Sequence, residues 1–401
     1  MAPKLNKALI GGSIILLVTF NIYNALNFLF QFSMARLLSV LDYGILATLF
    51  SIIYILTIFS ESIQTIISKY SSTESNKGKL KNIFKKSLNK ALIVSSVLFL
   101  CYAIISIPLS NLLKINYSLL LLNGLMIFTV FLVPVGRGIM QGQKRFKSLG
   151  INLITESSVK LILSIFLVLI GWKVYGAIAA TIIGLFSSFI LSFAQLKSII
   201  KQKEVKAETS GIYGYTKPVF FMILFLTLFY SLDIIIARIV FSEQISSYYA
   251  IAAILGKIVF WGTQPISKAM FPLSAKNSDK KESKNILLNA FGILSLLAFI
   301  GLVIVYFFPD LIVSIFTGKS IPESSNILFY VASAMSILSL SNLFILHKLS
   351  TGKVRGYGYF SILIAVEVIL LLSFSQSLLS YSIALIASSV IFLIGSIFLL
   401  R

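Results

Sequence analysis

Six ionisable side chains lie inside long apolar stretches of this sequence: Glu61, Glu156, Lys160, Asp233, Lys257 and Glu367. A charge at membrane depth costs about 2.5–3.5 kcal/mol on insertion scales, so such residues usually face a partner or a water-filled cavity. Glu156 and Lys160 are one helical turn apart and can neutralise each other. Lys257 is too deep in its stretch to reach the interface easily, which favours a paired or functional role. Glu367 has no cation one turn away, so a protonated structural group and a proton-coupling site both stay open.

Polar side chains recur at helical spacing in several of the same stretches. Residues three or four apart share one face of a helix. Such stripes are formed by Asn21, Asn24, Asn27 and Gln31, by Tyr54, Glu61, Gln64 and Ser68, and by Tyr249, Lys257, Trp261, Gln264 and Lys268. They either hydrogen-bond between helices or line a polar cavity.

The elements that carry these residues are predicted to be membrane-spanning helices. The chain has 401 residues, of which 58% are hydrophobic and 12% are charged. Soluble domains average roughly 45–50% apolar and about 25% charged residues, so an ordinary soluble enzyme, a disordered protein and a disulfide-stapled module are excluded. A span needs about 20 mostly apolar residues. Twelve runs qualify, approximately 8–30, 45–67, 90–108, 117–136, 149–171, 176–196, 218–240, 246–269, 286–308, 325–347, 357–375 and 378–400, with Pro108 expected to end the third.

The excess of positive charge has a topological reading. There are 34 Lys and Arg against 13 Asp and Glu, a net charge of +21. Most of these cations, Arg137 among them, are assigned to alternate loops, which the positive-inside rule makes cytoplasmic. The interpretation is a multi-pass protein of the inner, cytoplasmic membrane with both termini in the cytoplasm. The charge is therefore not interpreted as a nucleic-acid-binding signal.

The chain is predicted to consist of two six-helix lobes. A polar linker at 201–217 separates residues 1–200 from residues 218–401. Ala35-Arg36-Leu37-Leu38 in the first half is echoed by Ala237-Arg238-Ile239-Val240 in the second, each after the first span of its half. An even number of spans per lobe makes the repeats parallel. The first helix pair of each lobe is expected to meet around a polar central cleft.

Signals for catalysis or metal binding are weak. Cys101 is the single cysteine and His347 the single histidine, so a thiolate or histidine metal site is not expected. Thr317-Gly318-Lys319-Ser320 echoes a phosphate-binding loop, but Val313 stands where that motif needs glycine. We predict no catalytic residue, no metal and no cofactor.

Several motifs resemble a known family. They are Ala35-Arg36-Leu37-Leu38 followed by Asp42-Tyr43-Gly44, Met140-Gln141-Gly142-Gln143-Lys144-Arg145-Phe146, Tyr175-Gly176-Ala177, Leu232-Asp233 with Arg238, Tyr248, and Phe271-Pro272-Leu273. They are similar to polysaccharide and lipid-linked oligosaccharide flippases of the Wzx type, in the multidrug/oligosaccharidyl-lipid/polysaccharide (MOP) superfamily. Ser39-Val40 and Ser246 depart from it at turns. The resemblance implies a fold like that of the MATE transporters, alternating access, and flipping of a polyprenyl (pyro)phosphate-linked sugar to the outer leaflet.

The residues suited to such a substrate are hydrogen-bonding, aromatic and cationic. Expected substrate contacts in the cleft are Asn21, Asn24, Arg36, Gln64, Arg238, Tyr249, Lys257, Trp261 and Gln264, and the ion-coupling candidates are Glu61, Asp233 and Glu367. Expected partners are the lipid-linked glycan, membrane lipids and glycan-assembly enzymes. A MATE-like multidrug antiporter is the alternative, disfavoured by a deep lysine. A glycan polymerase or ligase is a further one, disfavoured by short outer loops.

Overall fold

The computed structural model describes the backbone of residues 7–207, 217–276, 280–352 and 355–400. Over these ranges the regular elements are all helical, as the sequence predicts. Most of the second half of the predicted linker, residues 208–216, and the chain ends lie outside the described residues. The helices are α1 (Lys7–Leu37), α2 (Val40–Thr73), α3 (Lys77–Leu113), α4 (Tyr117–Gly124), α5 (Met126–Gly142), α6 (Phe146–Leu167), α7 (Lys173–Gln195), α8 (Lys197–Ile200), α9 (Lys217–Val240), α10 (Glu243–Lys276), α11 (Lys280–Phe307), α12 (Pro309–Thr317), α13 (Pro322–Ser350), α14 (Phe360–Ser373) and α15 (Leu378–Phe398).

Helix ends follow local capping chemistry. The Asn76 side chain accepts hydrogen bonds from the first amides of α3, at Gly78 N (2.8 Å) and Lys79 N (3.3 Å). The expectation that Pro108 ends this helix is wrong, because α3 continues for five residues to Leu113 and is followed by Lys114 in the left-handed conformation. Membrane helices tolerate proline where neighbouring groups satisfy the freed carbonyl. The helix is consequently 37 residues long.

Helices α6 and α7 are two helices rather than one long rod. They are joined by a five-residue π-helical segment, Val168–Trp172, in which Gly171 has a φ of 97°. That backbone conformation is accessible to glycine at little steric cost. Gly171 is the last residue of the fifth predicted apolar run, so the break lies at the end of that run, directly before the predicted gap at 172–175.

Nine helical stretches of the described chain are long and apolar enough to cross a membrane. One of them, Phe146–Gln195, includes the break at Gly171. The outward faces of α3 and α11 carry large exposed apolar side chains, among them Ile93, Ile104 and Phe299. Apolar surfaces of this extent are incompatible with water and match contact with lipid tails. The chain is a multi-pass membrane protein.

Packing divides the chain into two compact units. Unit 1 comprises Met1–Leu38 and Leu56–Ile212, and unit 2 comprises Ser39–Ile55 and Tyr213–Arg401, so α2 contributes to both. In unit 1, α6 packs on α1 and α7, and α3 packs on α5. In unit 2, α13 packs on α10 and α15, and α14 packs on α9 and α15. These helix contacts place ionisable residues in the interior of each unit.

Small residues permit the close approach of α2 and α10 within unit 2. A Cβ atom on Gly44 would lie 2.8 Å from the Ser247 Cα atom and would also overlap the Ser247 side chain. We expect Gly44→Ala to lower the free energy of unfolding by about 1–3 kcal/mol, because backbone cannot move aside as a flexible side chain can. Thermal unfolding of the purified protein in detergent measures the loss.

The matched control for that change is Gly262→Ala in α10. Nothing lies within 4 Å of a Cβ atom at Gly262. Alanine there is expected to be neutral or to stabilise by up to about 1 kcal/mol, through its better helix propensity. Equal effects of the two substitutions would contradict a close contact at Gly44.

Candidate functional site

The interior of unit 2 holds a buried ion pair between α9 and α10. The Lys257 ammonium donates to Asp233 Oδ1 over 2.8 Å, and both side chains are almost completely buried. Tyr249, two helical turns before Lys257, donates its hydroxyl to Asp233 Oδ2 over 3.2 Å. Tyr381 of α15 donates to the Asp233 carbonyl over 2.7 Å and stacks edge-on against the Tyr249 ring. Asp233 is thereby held on three sides by donors.

Glu367 on α14 is a second buried acid in unit 2. Its side chain is 0% exposed, and neither carboxyl oxygen has a hydrogen-bond partner among the described residues. The ionisable groups that act on it are Asp233 and Lys257, and it acts in turn on Tyr249 and Tyr381. The cluster therefore contains one ammonium and two carboxyl groups. It is neutral when one carboxyl carries a proton, and an unpaired charge in an apolar interior is costly.

Unit 1 contains a different buried ion pair, between α5 and α6. Arg137 donates from Nη2 to Glu156 Oε2 (2.5 Å) and from Nε to Asn152 Oδ1 (2.8 Å). Ser188 of α7 accepts from the same guanidinium over 3.3 Å, and Tyr23 of α1 donates to Glu156 Oε1 over 3.1 Å. A planar guanidinium with several fixed donors suits such a network. Four helices are joined through it.

This network corrects two sequence-based expectations. Glu156 pairs with Arg137 rather than with Lys160, so the proposed i, i+4 pair on α6 is wrong. Arg137, assigned to a cytoplasmic loop, lies inside α5 and is 8% exposed. Hydropathy alone ends the apolar run at residue 136. The sequence nevertheless contained a signal that the helix continues, because Arg137 stands between two glycines and is followed by the apolar residues Ile139 and Met140.

Lys160 has a different environment from Arg137 and Lys257, which are paired with carboxylates. Its ammonium donates to Asn27 Oδ1 on α1 and lies 4.4 Å from the centroid of the Phe30 ring. No carboxylate of the described chain lies within 4.0 Å of it, whereas Arg137 has Glu156 at that range. An amide oxygen and an aromatic face stabilise an ammonium without neutralising it.

The two arginines predicted as substrate contacts are in unlike surroundings. Arg238 is 1% exposed and donates to the Glu243 carbonyl (3.1 Å), the Glu243 carboxylate (3.3 Å) and the Ser246 hydroxyl (3.2 Å). Arg36 is exposed, and its guanidinium carbon lies 4.5 Å from the centroid of the Phe32 ring. Arg36 thus lies on the surface of the protein, while Arg238 closes the turn between α9 and α10.

The remaining predicted residues lie on accessible parts of their helices. Exposed side chains are Asn21, Asn24 and Glu61, and half-buried ones are Gln64, Trp261 and Gln264. Gln64 donates to Gln141 Oε1 over 2.8 Å. The structure thus unites Asp233, Tyr249 and Lys257 in one cluster with Glu367 nearby. Tyr23, Arg137, Asn152 and Tyr381 are members of the buried networks that the sequence did not single out.

The first part of the predicted linker is docked on α3. Asn82 accepts from the Ala207 amide over 3.1 Å and donates to Glu204 Oε1 over 2.7 Å. Lys85 donates to Glu204 Oε2 over 3.1 Å. The hydrogen bonds that Glu204 accepts from Asn82 and Lys85 hold the pKa of its carboxyl below its usual value. A lowered pKa in the docked state means that the contact is favoured at neutral pH and weakens as the pH falls through that pKa.

No group of three or more His, Cys, Asp or Glu side chains in the described part of the chain could hold a metal ion. The described interiors contain ion pairs, an amide and tyrosine hydroxyls. Such groups can bind sugars, phosphates or protons.

The fold of this chain is similar to that of several solved membrane proteins. The chain superposes on a MATE-family multidrug resistance transporter of the MOP superfamily in an inward-facing conformation with a TM-score of 0.77 and 13% identity, over 95% of this chain and 96% of the other. The match to the lipid II flippase MurJ has a TM-score of 0.72 and 16% identity, over 96% and 87%. A MOP-superfamily transporter of Pyrococcus furiosus matches with a TM-score of 0.60 and 13% identity, over 98% and 94%. The chain shares its fold with these solved proteins.

Sequence comparison then defines the family. The family described as polysaccharide biosynthesis protein matches residues 33–326, which is most of the chain. The chain belongs to this family. A curated relative, an uncharacterized membrane protein of Methanocaldococcus jannaschii, is 25% identical over 360 residues, covering 84% of this chain and 83% of that protein. The resemblance recognised in the motifs is confirmed at this level.

Proposed function

We propose that this protein flips a polyprenyl (pyro)phosphate-linked oligosaccharide from the cytoplasmic to the outer leaflet by alternating access. The observation that carries the proposal is the family match over residues 33–326 in a chain with a transporter fold. A sugar head cannot cross hydrocarbon unaided, because each buried polar group without a partner is costly. Hydrogen-bonding and charged groups inside apolar helices are what such a transporter needs, and α1, α6, α9 and α10 contain them.

The proposed architecture has twelve spans in two six-helix lobes, residues 1–200 and 218–401, with both termini in the cytoplasm. Nine apolar stretches support it directly. The count rises to twelve when the break at Gly171 divides one stretch into two and when α1 and the shorter α14 are included. The positive-inside rule supports the orientation in the cytoplasmic membrane.

The proposed substrate contacts fall into two groups. Asn21, Asn24, Arg36, Gln64, Trp261 and Gln264 have side chains that are at least partly exposed and suit sugar hydroxyls, ring faces or phosphate. Tyr249, Lys257 and Arg238 are buried and already contact acids, so a substrate phosphate would have to displace Asp233 or Glu243. The first group is therefore favoured for direct contact.

Reconstituted transport tests the function. We expect proteoliposomes containing the purified chain to expose a fluorescent polyprenyl-diphosphate oligosaccharide to an outside quencher faster than protein-free vesicles do. The same vesicles should not accumulate ethidium, the probe for a cationic-drug antiporter. Ethidium transport without movement of the glycan lipid would overturn the proposal in favour of a multidrug exporter, and growth of the glycan chain would favour a polymerase.

Proton coupling is proposed to involve Glu367 together with Asp233, with Glu61 as the exposed candidate. A glutamine in place of Glu367 would be permanently neutral, so Glu367→Gln is expected to abolish the acceleration of flipping by an imposed pH gradient while preserving the fold. The assay is the same flipping measurement with and without the gradient. Asp310→Asn is the control, because it removes an exposed acid that is not a coupling candidate, and it should leave the gradient response unchanged. An unchanged gradient response in Glu367→Gln removes Glu367 from the coupling.

A further inference from the structure

Lys160 differs from Arg137, Arg238 and Lys257, the cations that are buried in the described helices. Arg137, Arg238 and Lys257 each have a carboxylate within 4.0 Å, at Glu156, Glu243 and Asp233. Lys160 is half-buried, and among the described residues it forms no such pair. Its ammonium contacts the Asn27 amide oxygen and the Phe30 ring.

The surroundings hold this lysine in place without cancelling its charge. A Cβ atom at Gly184 of α7 would lie 3.1 Å from Lys160 Cβ, so the base of the side chain is tightly packed against that helix. One of the three ammonium protons is accounted for by Asn27. The remaining donors can serve a second acceptor.

The charges of Lys160, Arg137 and Glu156 do not sum to zero. The Glu156 carboxylate acts on Lys160, but it is already paired with Arg137. Two positive groups therefore share one negative group, which leaves a surplus of one positive charge. A cation in an apolar interior is stabilised by an anionic partner. The chain does not supply that partner within the described residues, which points to the substrate.

We propose that Lys160 binds the phosphate group of the lipid-linked substrate, with Asn27 positioning its ammonium. This assignment rests on the proposed function and deepens it, because it names the substrate contact in unit 1. A phosphate accepts charge-assisted hydrogen bonds from an ammonium, and these are about twice as strong as neutral ones. Asn24, exposed one turn from Asn27 on α1, extends the same polar stripe toward the sugar.

Binding of defined phosphates to the purified full-length protein tests the site. The probes are farnesyl diphosphate in detergent micelles, inorganic pyrophosphate, and vesicles of phosphatidylglycerol, and the readout is isothermal titration supported by ligand-dependent thermal shift. We expect Lys160→Gln to weaken farnesyl diphosphate binding about tenfold or more. Lys160→Arg should retain most of the affinity, since arginine keeps the charge.

Lys147→Gln is the matched control, because it removes an exposed lysine from the same helix. It should change the affinity by less than about twofold. Without ligand, the midpoint temperature of thermal unfolding is expected to be no lower for Lys160→Gln than for the wild type, because the surplus charge is gone. That result separates a ligand-binding role from a structural one.

The outcomes are distinct. Equal affinities of Lys160→Gln and the wild type for farnesyl diphosphate overturn the site, as does a Lys160 dependence seen with phosphatidylglycerol alone. If both farnesyl diphosphate and inorganic pyrophosphate bind in a Lys160-dependent way, the site recognises phosphate by itself. If only farnesyl diphosphate binds in this way, the site recognises the lipid-linked form. If the wild type binds in this way but does not flip the glycan lipid, the proposed function fails and the phosphate site stands.

Discussion

Lys257→Met is expected to lower the free energy of unfolding by about 3–5 kcal/mol, because it leaves the buried Asp233 carboxylate without its cation. Asp233 would keep only the Tyr249 hydroxyl on its carboxylate and the Tyr381 hydroxyl on its carbonyl. Hydroxyl donors stabilise a carboxylate less than an ammonium does. Denaturant or thermal unfolding in a mild detergent measures the loss.

A second substitution distinguishes loss of the pair from loss of the lysine itself. Asp233→Asn combined with Lys257→Met removes both charges and should recover most of the stability, because no bare charge then remains buried. Lys268→Met, on the exposed side of the same helix, should change stability by no more than about 0.5 kcal/mol. A Lys257→Met protein as stable as the Lys268→Met protein would show that the buried pair contributes nothing.

Arg137→Met is expected to be about as damaging as Lys257→Met, at about 3–5 kcal/mol, since it breaks the ion pair that joins α5 to α6. Glu156 would be left with the Tyr23 and Ser188 hydroxyls, and Asn152 would lose its guanidinium donor. Unfolding in detergent measures the loss here too.

Two comparisons sharpen this prediction. Adding Glu156→Gln to Arg137→Met should restore part of the stability, because the orphaned negative charge disappears. Arg145→Met provides the contrast, since Arg145 contacts only the Gln195 carbonyl (3.1 Å) and the Ser198 hydroxyl (2.9 Å) in the described structure and pairs with no carboxylate there. It should cost about 1–3 kcal/mol. A larger loss from Arg145→Met than from Arg137→Met would contradict the dominance of the buried pair.

Much of the helical layout was predictable because hydropathy is a local property of the chain. Each predicted apolar run coincides with a helix or a helix pair, although the helices commonly extend several residues further. The errors arise at run edges. Pro108 lies inside α3, and Arg137 lies inside α5, because a helix can continue through a polar or proline position that interrupts hydropathy.

The presence of ionisable groups inside the helices was also predictable, whereas their partners were not. Asp233 and Lys257 are 24 residues apart and meet because α9 packs against α10. Glu156 had a candidate partner one turn away at Lys160, yet it pairs with Arg137, since the guanidinium from α5 reaches its carboxylate and the α6 ammonium is directed to Asn27. Spacing along one helix gives the candidates for pairing and not the outcome.

Apolar length, charge bias and short motifs thus specified a helical membrane protein of the polysaccharide biosynthesis family before any coordinates were considered, because each of these signals is read from neighbouring residues. The identity of the ion pairs, the Glu367 carboxyl without a hydrogen-bond partner in the described chain and the surplus cation at Lys160 required the packed helices. Which charges are neutralised depends on distances between side chains from different helices, and those distances are set by packing within each unit.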